Sequence, residues 1–161
     1  MAPILAASLL HEQGMKRHLD GPPVGDFMTH SPHSIGRKQT LATALALMRR
    51  FDVRHLPVLD GGRIVGLLSQ RDVLFVETLR DVDASAVSVD EAMSPDVYTV
   101  APETPLVDVV AEMADHKYGC AVVLDGATVA GIFTTVDAMR ALVAALRAAE
   151  SNRAPSAARA P

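Results

Sequence analysis

Apolar residues along this chain follow two rhythms, and each rhythm occurs twice. Leu41, Ala44, Leu45 and Met48 are spaced i, i+3, i+4, i+7, as are Leu106, Val109, Val110 and Met113. That is the period of a one-sided helix. Thr40 and Thr104 are the expected N-caps, with Pro105 at the first helical position. A short extended piece precedes each helix, near Ser34-Ile35 and Thr99-Val100. Two apolar runs follow each helix. His55–Leu59 and Ile64–Leu68 flank Asp60-Gly61-Gly62-Arg63, while Ala121–Leu124 and Val129–Phe133 flank Asp125-Gly126-Ala127-Thr128. Asp-Gly between apolar runs predicts a β-hairpin. A second helix closes each unit, from about Gln70 and about Thr135, the latter running on through Ala141–Leu146. The order is therefore β-α-β-β-α, twice.

The duplication is also visible residue by residue. At a constant offset of 65, Val24 matches Val89, Met28 matches Met93, Leu41 matches Leu106 and Met48 matches Met113. Val58-Leu59-Asp60-Gly61 matches Val123-Leu124-Asp125-Gly126, Gly66 matches Gly131, and Asp72 matches Asp137. Each copy is small for an independent domain, so the two are expected to share one core. The predicted layout is an N-terminal extension over 1–23, a first unit over 24–79, a linker over 80–88, a second unit over 89–147 and a frayed tail over 148–161.

Composition narrows the function classes. The chain has 161 residues, 49% of them hydrophobic, which excludes a wholly disordered polypeptide. No stretch of about 18 residues is free of charges and turn formers, so no membrane span is expected. Cys120 is the only cysteine, which excludes an intrachain disulfide and a cysteine zinc cluster; it reads as a small buried apolar residue. Aromatics make up 4% and the net charge is −4, which disfavours nucleic acid as a partner. Met1–Leu10 lacks the basic region of a signal peptide, which points to a cytoplasmic product. His30 and His33 flank Pro32 with no acid or cysteine beside them, so no metal site is expected. There is no nucleophile–base pair and no Gly-x-x-x-x-Gly-Lys phosphate loop, so the chain does not read as an enzyme.

Several segments carry a family resemblance. They are Arg54-His55-Leu56-Pro57-Val58-Leu59-Asp60, Gly66-Leu67-Leu68-Ser69-Gln70-Arg71-Asp72 and Gly131-Ile132-Phe133-Thr134-Thr135-Val136-Asp137, with Met28-Thr29 and Met93-Ser94 opening the copies. This doubled pattern, over roughly residues 20–147, resembles a tandem pair of CBS (cystathionine-β-synthase-type) domains, a Bateman module, of the stand-alone bacterial kind. The resemblance implies an α+β fold in which two β-α-β-β-α repeats pack with pseudo-twofold symmetry and form two clefts. It implies regulation rather than catalysis, an adenosine-containing ligand such as AMP, ADP, ATP or S-adenosylmethionine, no required cofactor, and pairing into a homodimer. With no effector domain fused, the output falls to a separate effector protein.

The resemblance assigns the ribose to Asp137 with Thr134 and to Asp72 with Ser69. An acceptor-only carboxylate suits two vicinal hydroxyls. The helix N-terminus beside each motif favours phosphate, and Gly66 and Gly131 are expected to let a ligand approach the backbone. The same residues also fit a purely structural capping box, hydroxyl at N-cap and acid at N3. The two roles are compatible.

Charge divides unevenly between the copies: +3 over residues 24–74 and −8 over 89–139. If a phosphate binds, the first copy supplies the cations, and the resemblance points to Arg54 and His55, whose counterparts Gly119 and Cys120 are uncharged. The resemblance pairs the Asp of one copy with the basic pair of the other, so the favoured site combines Asp137 and Thr134 with Arg54 and His55. Arg71 is left to compensate in the mirror site, which is expected to be the weaker. Ile35, Val100, Pro57 and Val122 are the candidate adenine pocket, with plain core packing the competing reading, the better one for Val122. The competing function is a homodimeric interaction scaffold with vestigial, ligand-free clefts.

Overall fold

The computed structural model describes residues 21–79 and 83–153. Most of the expected N-terminal extension (1–20), part of the linker (80–82) and the end of the tail (154–161) lie outside the described residues. Seven strands and five helices are described: β1 (Thr29–His30), β2 (Ile35–Gly36), α1 (Leu41–Phe51), β3 (His55–Asp60), β4 (Arg63–Ser69), α2 (Gln70–Glu77), α3 (Val89–Ala92), β5 (Thr99–Val100), α4 (Leu106–His116), β6 (Cys120–Asp125), β7 (Thr128–Thr134) and α5 (Thr135–Arg153). The closing helix reaches Arg153, so residues 148–153 of the expected frayed tail are helical.

Each repeat builds one sheet around its hairpin. β2, β3 and β4 form the first, in that order; β1, β7, β6 and β5 form the second. In both, the short opening strand runs parallel to the first hairpin strand and the hairpin is antiparallel. The first turn holds Gly61 at φ 56° and Gly62 at φ 83°, a backbone that side chains resist. The first apolar face read from the sequence is buried, with Leu41, Ala44, Leu45 and Met48 under the first sheet; of the second, Val109 and Met113 are buried and Leu106 and Val110 half-buried.

The start of α4 differs from expectation by one residue. Pro105, not Thr104, is the N-cap, and no side chain among the described residues caps that helix. Thr40 caps α1, accepting a hydrogen bond from Thr43 N at 3.2 Å. The reason lies in the repeat register, since Thr40 corresponds to Pro105 and Thr104 to Gln39. The Thr104 carbonyl instead accepts from Val24 N at 2.8 Å, as the Gln39 carbonyl accepts from Val89 N at 2.8 Å.

Those two bonds belong to an exchange of openings between the copies. Val24 is fully buried in the core of the second unit, with Val109, Met113, Ala121, Val123 and Phe133. Val89 is fully buried in the core of the first, with Leu41, Leu45, Leu56 and Leu68. Backbone bonds follow the same symmetry. Leu41 N donates to Val87 O and Leu106 N to Pro22 O; Asp90 N donates to Arg37 O and Gly25 N to Pro102 O. β1 pairs with β7, Thr29 opposite Ile132 and His30 opposite Gly131, while Ser94 bridges to Leu67 in the first sheet. The segment before each helix thus satisfies the free N–H groups of the other copy's helix.

Candidate functional site

The hairpin strands bring the motif residues to matching ends of the two sheets. His55 lies opposite Ser69 in the β3–β4 ladder, and Cys120 opposite Thr134 in the β6–β7 ladder. Gln70 N donates to the Arg54 carbonyl at 2.8 Å, and Thr135 N to the Gly119 carbonyl at 3.2 Å. A cleft of about 1800 Å³ runs between these ends. Single small-molecule pockets occupy about 300–1,000 Å³, so it has room for more than one ligand-sized site.

Ser69, Arg71, Asp72, Arg54, His55, Thr134 and Asp137 all line this cleft, with Gly119 and Cys120. Both capping boxes form. Asp72 Oδ2 accepts from Ser69 N at 2.8 Å and Ser69 Oγ at 2.6 Å, and Asp72 N donates back to Ser69 Oγ at 3.3 Å. Asp137 Oδ2 accepts from Thr134 N at 2.9 Å and Thr134 Oγ1 at 2.7 Å, with Asp137 N donating to Thr134 Oγ1 at 3.3 Å. Each cap engages one carboxylate oxygen. The two Oδ1 atoms then differ. Asp137 Oδ1 accepts from Arg140 at 3.1 Å, whereas Asp72 Oδ1 accepts no hydrogen bond among the described residues.

His55 sits where the two copies meet. A Cβ built on Gly119 would lie 2.8 Å from His55 Nε2, so the absence of a side chain at 119 admits the imidazole. Burial lowers the affinity of this ring for a proton, opposed by Asp72 and reinforced by Arg71 and Arg54. Burial thus favours the neutral form of His55, beside the guanidinium groups of Arg54 and Arg71. Cys120 is buried, which pushes its thiol up to about 12 and makes it a poor nucleophile.

Two expectations change here. The glycines do not open the backbone to a ligand. A Cβ on Gly131 would lie against Met28, 2.8 Å from its Cγ, and a Cβ on Gly66 against Met93, 2.9 Å from its Cγ. Each glycine makes room for the methionine of the exchanged opening. The four residues named for adenine, in turn, are not on the cleft wall. Ile35 and Val122 are buried at 2% and 0% exposure, Pro57 is buried inside β3, and Val100 packs against the second core.

The wall instead carries aromatic rings. Tyr98 and Tyr118 stack with centroids 5.2 Å apart, and His116 stacks on Tyr118 at 5.3 Å. Both tyrosines line the cleft. Thr99 pairs with Val122, which places Tyr98 at the same end of its sheet as Thr134. The first copy places His33 on the cleft wall, stacked on Phe51 at 3.6 Å. Sequence reasoning missed Tyr98, Tyr118 and Arg140. Arg140 follows Asp137 by three positions, the spacing that puts two helix residues on one face, but its counterpart in the first copy is Phe75, so the duplication does not flag it.

The CBS domain family model matches residues 24–77 and 89–144. The CBS domain-containing protein YhcV of Bacillus subtilis is 29% identical over 114 residues, covering 71% of this chain and 81% of that protein. A crystal structure of a protein named AcuB from Vibrio cholerae superposes with a TM-score of 0.72 at 33% identity, covering 81% of this chain and 97% of the other. The crystal structure of CBSX2 in complex with AMP superposes with a TM-score of 0.68 at 28% identity, covering 78% and 98%.

Proposed function

The chain belongs to the CBS domain family, and from that premise we propose that it is a regulatory module that binds an adenine nucleotide, AMP in the first instance, in the cleft between its repeats. The observation that carries the reading is that two capped carboxylates, Asp72 and Asp137, line one cleft with Arg54, His55 and Arg71. Each carboxylate spends one oxygen on its helix cap; the second is without a hydrogen bond among the described residues at Asp72 and is held by Arg140 at Asp137, where a ribose would have to displace it. The AMP held by CBSX2 supports the choice of ligand class.

In this reading Thr134 and Asp137 take the ribose at the second copy. Arg54 supplies the phosphate charge, with His55 as a neutral donor reaching across to Gly119. Ser69, Asp72 and Arg71 form the mirror site. Tyr98 and Tyr118 offer the flat face for adenine that Ile35, Val100, Pro57 and Val122 do not. The ligand acts as a signal only through unequal affinity for two states of the module or of its effector complex.

Isothermal titration with AMP, ADP, ATP and S-adenosylmethionine tests the reading. Saturable binding of at least one, abolished by replacing Asp72 and Asp137 together with Ala, is the expected result. Absence of heat and of thermal shift at millimolar ligand sinks it. It would favour the interaction scaffold instead, since the caps by themselves explain both Ser/Thr–Asp pairs. A second copy of the chain is the partner proposed for the closing helices. Both expose apolar side chains, Leu74 and Phe75 on α2 and Met139 and Val143 on α5. Sedimentation of a dimer that Phe75→Glu dissociates supports this, and a monomer at high concentration removes it.

A further inference from the structure

We propose that Arg140 is a latch on the Asp137 site, closing it to neutral nucleosides and releasing it to ligands that bring a phosphate. The inference rests on the nucleotide reading above and concerns which ligands the second copy's site accepts.

Asp137 is a buried acid, 8% exposed, whose two oxygens are both engaged. Thr134 holds Oδ2, and Arg140 donates to Oδ1 at 3.1 Å. The oxygen that a ribose diol needs is therefore occupied. Arg140 itself is 75% exposed at the side chain, and Asp137 is its one hydrogen-bond partner among the described residues. It also lines the cleft.

A ribose can reach Oδ1 only by displacing the guanidinium. A neutral nucleoside replaces a charge-assisted bond with ordinary hydroxyl bonds and leaves Arg140 with water. A nucleotide brings a phosphate, for which the guanidinium fork is well matched. The displaced Arg140 then gains a new anionic partner, so phosphate binding and ribose binding are coupled through one side chain. The first copy has no such device. The position corresponding to Arg140 is Phe75, and Asp72 Oδ1 accepts no hydrogen bond among the described residues. The Asp72 site is thus open to nucleosides with or without phosphate, and the Asp137 site is selective.

The test compares AMP with adenosine by calorimetric titration of the full chain. An Asp72→Asn background, which keeps a capping oxygen, isolates the Asp137 site. In that background AMP is expected to bind at least tenfold more tightly than adenosine. Adding Arg140→Gln is expected to raise adenosine affinity and lower AMP affinity, shrinking the ratio several-fold with little change in melting temperature. An unchanged ratio overturns the latch, as does loss of all binding on Asp72→Asn alone. Failure of the unsubstituted chain to bind either ligand is a distinct outcome, which overturns the nucleotide reading and the latch with it.

Discussion

Gly66 and Gly131 recur in the doubled pattern, yet their role becomes visible only when the copies are assembled. Each faces the methionine of the other copy's exchanged opening, with no space for a Cβ. Overpacking a filled site costs about 1–3 kcal/mol. Gly131→Ala is expected to lower unfolding free energy in denaturant by that order, and Met28→Ala to relieve part of the loss in the double variant. Strict additivity of the two changes would mean that they do not share a contact. A second expectation concerns His55, whose proton affinity is depressed chiefly by burial. The unfolded chain takes up its proton at a higher pH than the folded one, so this ring's contribution to stability is present above about pH 6.5, the ordinary histidine value. It is lost as pH falls through the folded value. His55→Gln is expected to flatten that part of the stability profile, and an identical profile would remove His55 as its source. The sequence displayed both kinds of residue but not their neighbours. Gly119 admits the His55 ring from another strand of another copy, and no local pattern encodes that meeting.

At the scale of elements, the helices and hairpins were legible because each has a local cause. The i, i+3, i+4, i+7 faces, the Asp-Gly turns and the Ser/Thr-x-x-Asp caps all appear where the pattern put them. The misplaced start of α4 is instructive. Thr104 has the chemistry of an N-cap, but the repeat register assigns that position to Pro105, and the Thr104 carbonyl is taken by Val24 N. Capping hydroxyls are worth about 0.5–2 kcal/mol. Thr40→Ala is therefore expected to destabilise the protein by about 1 kcal/mol, while Thr104→Ala changes little. Equal losses in matched denaturant titrations would contradict this assignment. The four residues named for adenine lie off the cleft wall for a related reason. Short apolar strands look alike whether they face a core or a cleft, and Val122 and Ile35 face cores. Tyr98 and Tyr118 lie just outside the strands, where periodicity says nothing.

The whole molecule is organised by the exchange of openings, and this sets how it unfolds. The first copy's Val24 completes the second core, and the second copy's Val89 completes the first. A side-chain cluster reinforces one of the two crossings. Asp90, on the exchanged α3, accepts from Arg37 at 3.2 Å and Lys38 at 2.9 Å, and Arg37 also reaches Asp60 at 3.1 Å. The Ser88 hydroxyl, then Lys38 and Arg37, hold the Asp90 carboxyl well below the usual carboxylate range. The +3 and −8 charges of the two copies are thus partly joined through this segment rather than only facing each other across the cleft. Neither sequence repeat is a complete structural unit, because each lacks the piece that fills its own core and satisfies its own helix. Fully burying a valine contributes about 1.5–3 kcal/mol. Val24→Ala and Val89→Ala are therefore each expected to shift one common unfolding midpoint, although they lie in different copies. A chain of residues 84–153 lacks Val24 and the Pro22 carbonyl that accepts from Leu106 N. It is expected to show no cooperative melt by circular dichroism, and to regain one when residues 21–30 are fused to it. Independent, cooperative melting of the bare fragment would show that the exchange is dispensable. It would also mean that a ligand in the cleft bridges two separable bodies rather than one.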